Sequence, residues 1–219
     1  MQSFIDLFNE SMPLLLQGLA LTMELAGIAL FFAMFIGIFA SLAGLSRYKI
    51  LNVLNGVFVS IIRGTPLLVQ GFFIYFGVTG LLKVHISAFM AGTIALSLNA
   101  GAYLSEIFRG GIQAVDRGQY EASRSLGLSG SQTMRRIILP QAIRICIPSV
   151  VNQCCITIKD TSIISVIGLA ELTKMGQTII ARTYRSFEIW VIVGAMYFLV
   201  IYLIIILSMF LEKKVSLDD

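Results

Sequence analysis

Apolar residues in this chain gather into long unbroken runs, not the alternations or narrow stripes that mark half-buried elements of a soluble domain. Five runs are long enough to cross a hydrocarbon core of about 30 Å, which takes roughly 20 helical residues. They extend from about Leu14 to Leu45, Leu51 to Gly80, Ser87 to Phe108, Ala142 to Ile167 and Glu188 to Leu211. The second is interrupted by Arg63-Gly64-Thr65-Pro66, and the third and fourth are separated by a long polar stretch from Arg109 to Leu139. Gly168 to Phe187 is moderately polar and predicts a short external helix or a partner surface. The pattern predicts an all-α membrane protein with five transmembrane helices and an extra helical element on the long connection. Its expected divisions are an extracytoplasmic segment (1–13), a transmembrane domain (14–211) that includes the connection 109–141, and a cytoplasmic tail (212–219).

Composition sharpens this picture. Of 219 residues, 57% are hydrophobic and 13% charged, with a mean hydropathy of +0.88. Soluble domains carry about 45–50% apolar and roughly 25% charged residues. The net charge of +4 is not a nucleic-acid signal here, because the placement of the charges carries the information. Arg47, Lys49, Arg109, Arg117, Arg124, Arg135, Arg136, Arg144, Lys213 and Lys214 fall on one side of the predicted membrane. Only Lys83, Lys174, Arg182 and Arg185 fall on the other, and Arg63 and Lys159 lie within spans. The positive-inside rule then puts the N-terminus outside and the long connection and C-terminus in the cytoplasm. The N-terminus has no basic region or small-residue cleavage site, so the first helix is expected to be retained. Cys146, Cys154 and Cys155 have neither metal-ligand spacing nor a disulfide pattern and read as packing residues.

Charged side chains within the membrane cost on the order of 2.5–3.5 kcal/mol on insertion scales and usually mark a functional path. Arg63, Glu106, Lys159 and Asp160 are such residues, and a structural pair such as Arg63 with Asp160 is compatible with that role. Ser149, Gln153, Thr157 and Asp160 follow steps of four, four and three along one helical face, as do Asn99, Tyr103 and Glu106. Ser60, Arg63 and Gln70 align only if the second helix runs through Pro66. Pro66 removes a donor and frees the carbonyl of Ile62, and irregular backbone at membrane depth is tolerated where it lines a cavity. Three polar faces predict one wet cavity suited to a zwitterion. Arg63 or backbone donors would receive a carboxylate and Asp160 an ammonium group, while Ser60, Thr65, Asn99 and Gln153 would read a polar side chain. Gln70 and Thr157 complete the candidate binding set.

On the long connection, Tyr120 to Leu126 reads as a short helix closed by Gly127, and a second helical piece follows Ser129-Gly130-Ser131 and runs to Pro140. The pattern Glu121-Ala122-Ser123, Gly127, Ile137 and Leu139-Pro140 resembles the cytoplasmic loop of ABC importer permeases, departing from it only at Ser123, where alanine is frequent. Arg63-Gly64-Thr65-Pro66-Leu67-Leu68-Val69-Gln70, Asn99-Ala100-Gly101-Ala102-Tyr103 and Lys159-Asp160-Thr161-Ser162 resemble the polar amino acid uptake subgroup. The resemblance implies that Tyr120, Glu121, Ala122, Ser123, Leu126 and Gly127 dock a coupling helix on an ATPase subunit. It further implies a second permease copy or close homologue, an extracytoplasmic solute-binding protein, an amino acid substrate and a bacterial inner membrane. Some permeases of this kind that carry cationic substrates have acidic residues near the positions of Ser60 and Gln153, so by this resemblance their absence here implies an uncharged polar side chain.

The chain has no Gly-x-x-x-x-Gly-Lys-Ser/Thr loop, so no cofactor is expected on it, and ATP and magnesium belong to the partner. An enzyme is disfavoured, because His85 lies outside the spans and nothing assembles a nucleophile with its base or a metal cluster. The alternative is a secondary transporter driven by an ion gradient, with Asp160, Glu106 and Lys159 as a relay.

Overall fold

A computed structural model describes residues 4–216, with side chains up to residue 209. The side chains of Lys213 and Lys214 and the end of the tail lie outside the described residues. Eight helices follow in order: α1 (Phe4–Gly44), α2 (Lys49–Gly64), α3 (Leu67–Leu82), α4 (Ala88–Ala114), α5 (Arg117–Ser125), α6 (Gly130–Ile167), α7 (Leu172–Thr183) and α8 (Ser186–Ser216). Helices α1, α4, α6 and α8 are each long and apolar enough to span a membrane. The fifth expected span is a bent pair, with α2 and α3 meeting at 102° across Thr65-Pro66.

Helix ends do not coincide with the expected divisions, because helical geometry continues wherever the backbone can keep bonding, whatever the polarity of the side chains. Helix α1 runs unbroken through Pro13, across the expected division at residue 13. Its 41 residues reach about 60 Å, roughly twice a hydrocarbon core. Within the stretch 109–141, α4 extends to Ala114 and α6 begins at Gly130. Within Gly168 to Phe187, where a short helix is one of the expectations, α7 forms.

The core is built on α1. Leu7, Ser11, Leu15, Gly18, Thr22, Leu25, Ala29, Ala33, Gly37 and Ser41 are all buried, in steps of three and four along one face. The C-terminal half of that face carries small residues, which let α4 approach closely, the usual device where lipid supplies no hydrophobic drive between helices. A methyl group added at Gly37 would lie 2.7 Å from Leu104 Cβ, and one at Gly101 would lie 2.6 Å from Ile36 Cγ2. The Ser97 hydroxyl donates to the Ala29 carbonyl at 3.2 Å across the same interface. Helix α6 packs on the other side of α4, where Gly92 meets Ile164 and Gly111 meets Cys146. The three cysteines are free, two of them buried.

At the end of α1 nearest the N-terminus, α7 and the start of α8 close over it through Leu7, Leu15, Leu172, Ile179, Ile189, Ile192 and Val193. A fully buried carboxylate, Glu171, joins them. It caps α7 by accepting from the Lys174 backbone N–H at 2.8 Å and accepts from the Tyr197 hydroxyl of α8 at 2.8 Å. Thr22 of α1 lies 3.4 Å away and receives the Leu172 N–H at 3.1 Å. Burial raises the Glu171 carboxyl above the ordinary carboxylate range, opposed by these hydrogen bonds.

Candidate functional site: a polar cavity at the helix break

The break at Pro66 has a specific closure. Pro66 cannot donate to the Ile62 carbonyl, and the Gln70 amide takes its place, with Nε2 2.8 Å from Ile62 O. The same nitrogen lies 3.1 Å from Thr65 O and 2.9 Å from Thr65 Oγ1, while the Thr65 hydroxyl donates to Ile61 O at 2.8 Å. Gln70 Oε1 accepts from Asn99 Nδ2 of α4 at 3.5 Å. Thr65 and Gln70 therefore spend their polar groups on the bend itself. Gln70 supports the cavity wall without lining it.

The bend holds Arg63 at the edge of two adjoining spaces. One cavity of about 520 Å³ is lined by Arg63, Gly64, Thr65, Pro66, Leu67, Asn99, Tyr103, Gln153, Ile156 and Asp160. Five of the eight expected binding residues meet there: Arg63, Thr65, Asn99, Gln153 and Asp160. Thr157 is buried behind it, its hydroxyl donating to the Gln153 carbonyl at 2.9 Å. Ser60 lines the second space, of about 590 Å³, with Asn52, Asn55, Arg63, Tyr103, Glu106 and Arg109.

Arg63 does not pair with Asp160. Its Nη1 lies 3.6 Å from Glu106 Oε2, and its guanidinium sits 5.1 Å from the centre of the Tyr103 ring. Glu106 is held mainly by Arg109, which reaches it with Nη2 at 2.8 Å and Nε at 3.0 Å. A guanidinium has five N–H donors, and among the described residues that of Arg63 makes only this long ionic contact. The cavity is thus lined by an arginine with unused donors and by a half-buried carboxylate, Asp160.

At the elbow between α4 and α6, Asp116 caps α5 by accepting from Gly118 N–H at 2.6 Å. Gly127 ends it with φ +83°, and Leu128 N–H returns to Ser123 O at 3.2 Å while Gly127 N–H returns to Arg124 O at 3.0 Å. Ser129 and Gln132 then cap each other at the start of α6. Tyr120, Glu121, Ala122, Leu126 and Gly127 are exposed, and Leu126 is 83% so. Ser123 is buried, with its hydroxyl 3.1 Å from Thr133 Oγ1, so it holds the elbow together and is not on its outer surface.

Residues 33–217 match the family model described as the binding-protein-dependent transport system inner membrane component. The chain belongs to that family of transport permeases. The glutamine transport system permease protein of Escherichia coli K12 is 38% identical over 208 residues, 94% of this chain and 95% of that protein. The arginine transport system permease protein of Bacillus subtilis is 34% identical, covering 94% of each. A crystal structure of an amino acid ABC transporter with histidines superposes with a TM-score of 0.92 at 38% identity, covering 98% of the permease and 99% of that chain. The permease is therefore a membrane transport subunit of the amino acid importer type and not an enzyme. This membership sets aside the gradient-driven alternative. Sequence reasoning missed the contact between Glu171 and Tyr197, whose separation in the chain gives no local signal, and the pairing of Glu106 with both arginines.

Proposed function

We propose that the permease carries an amino acid with an uncharged polar side chain through the cavity beside Pro66. Arg63 receives the carboxylate, Asp160 the ammonium group, and Asn99 and Gln153 contact the side chain. The observation that carries this reading is the placement of Arg63 and Asp160 on one cavity with Arg63 left short of partners. The relatives' names, glutamine and arginine transport permeases, agree with an α-amino acid and bracket the side chain.

The chain works as part of an assembly. The exposed face of α5, from Tyr120 to Gly127 without Ser123, docks in an ATPase subunit that holds ATP and magnesium. A second permease copy or close homologue covers the apolar side of α2, where Ile50, Leu54, Val57 and Ile61 are exposed. A solute-binding protein delivers substrate on the side of the N-terminus, and the elbow and C-terminus face the cytoplasm of a bacterial cell. The test is uptake by liposomes that hold the permease with its ATPase and binding protein. Labelled glutamine is expected to enter on ATP addition and to be displaced by unlabelled glutamine ahead of arginine. Preferential displacement by arginine would overturn the side-chain assignment, and no ATP-dependent entry of either would overturn the amino acid reading.

A further inference from the structure

The two polar cavities share one stretch of wall. Arg63, Gly64 and Tyr103 line both, while Asp160 lies only on the first and Glu106 and Arg109 only on the second. Gly64 has no side chain, which leaves the Arg63 guanidinium over the Tyr103 ring as the side-chain bulk that both cavities share. Glu106 draws that guanidinium toward the second space, and it does so from the same face of α4 as Tyr103, one helical turn further on.

We propose that Arg63 and Tyr103 form a gate between the polar cavity and the vestibule beside Asn52, and that Glu106 is the positioning residue that keeps it shut. The chemistry of the cluster makes the gate easy to open. Removing one partner of an ion pair is costly when the other is stranded, but Glu106 stays in its two-pronged contact with Arg109 when Arg63 leaves. The contact that must break is the long one, at 3.6 Å, between groups that are both part-exposed. Any carboxylate entering the first cavity meets the unused donors of Arg63 and competes with Glu106 for them. Resting on the amino acid reading, this makes the substrate's own carboxylate the key that opens the path.

The test uses the complete transporter in liposomes with a cysteine at Ile156, an apolar residue of the first cavity with no assigned contact to substrate. An anionic, membrane-impermeant methanethiosulfonate is applied from the Asn52 side, and the same chain without Ile156→Cys corrects for the three native cysteines. Glu106→Gln leaves Arg63 unheld and is expected to speed labelling roughly tenfold, the scale set by losing a part-exposed ion pair and loosening a cation–π stack. Tyr103→Leu, which leaves both ion pairs in place, is expected to speed it as well and covers the case where Glu106→Gln fails to assemble. Unchanged labelling in every assembled variant would overturn the gate. Glutamine is expected to accelerate labelling of the otherwise unaltered chain and to add little in Glu106→Gln. Faster labelling in the variants with no response to glutamine in either would sustain the gate and overturn instead the reading of this cavity as the glutamine site.

Discussion

Replacing Gln70 with leucine, which has nearly the same size and no amide, tests whether the break is held as described. The amide nitrogen has two hydrogens, one for the Ile62 carbonyl at 2.8 Å and one shared between the two Thr65 oxygens at 3.1 and 2.9 Å. Leucine leaves the Ile62 and Thr65 acceptors without that donor. An unsatisfied buried acceptor costs about 1–3 kcal/mol, and the site is only partly buried, so about 2 kcal/mol in total is the reasoned loss. For a chain of this length that corresponds to a fall in Tm of about 4–8 °C. The same loss lets the α2–α3 angle fluctuate and displaces Arg63, so the glutamine concentration for half-maximal uptake should rise by roughly tenfold or more. The assays are thermal unfolding in detergent and uptake across a substrate range. Gln70→Glu should be worse than leucine, because an ionised carboxylate faces carbonyl oxygens with no proton to give. If Gln70→Leu matched the parent chain in both assays, the amide would be incidental to the bend.

Three further outcomes follow from the same structure. Gly101→Val should prevent stable assembly, because even its Cβ would lie 2.6 Å from Ile36 Cγ2, and size-exclusion chromatography in detergent should show little monodisperse protein. Gly127→Val meets no neighbour but must hold φ +83°, a strain of roughly 1–2 kcal/mol or more, so the chain should insert while ATP hydrolysis loses its coupling to uptake. Because burial raises the Glu171 carboxyl, the folded chain holds its proton where the unfolded chain has lost it. Stability from this group is full below the ordinary carboxylate range and lost as pH rises through the raised value. Tm should therefore decline over that interval, and Glu171→Gln should flatten the decline.

How much of this was legible from residues alone depends on the range of the contacts involved. The apolar runs, the break at Pro66 and the freed Ile62 carbonyl are local, and each is found where the sequence put it. The polar faces of α4 and α6 follow from helical periodicity, which is why Asn99, Gln153 and Asp160 meet. The partner of Arg63 was not legible, since the choice between Glu106 and Asp160 depends on the 102° angle that carries α2 away from α6. Gln70 and Thr65 looked like substrate ligands because polarity within a span does not reveal whether its target is solute or backbone. Ser123 was placed on the docking surface by its position in the motif, whereas the tight return at Gly127 turns it toward Thr133.

The central claim is that a single cavity between Arg63 and Asp160 receives the substrate. The most direct measurement is ATP-driven glutamine uptake by the reconstituted transporter carrying Asp160→Asn, with co-purification of the ATPase as the control for assembly. Loss of one charge-assisted contact is worth about 1.5–3 kcal/mol, so half-saturation should rise by roughly ten- to a hundredfold while the complex stays intact. Uptake with unchanged half-saturation would contradict the account and move the pathway away from this cavity.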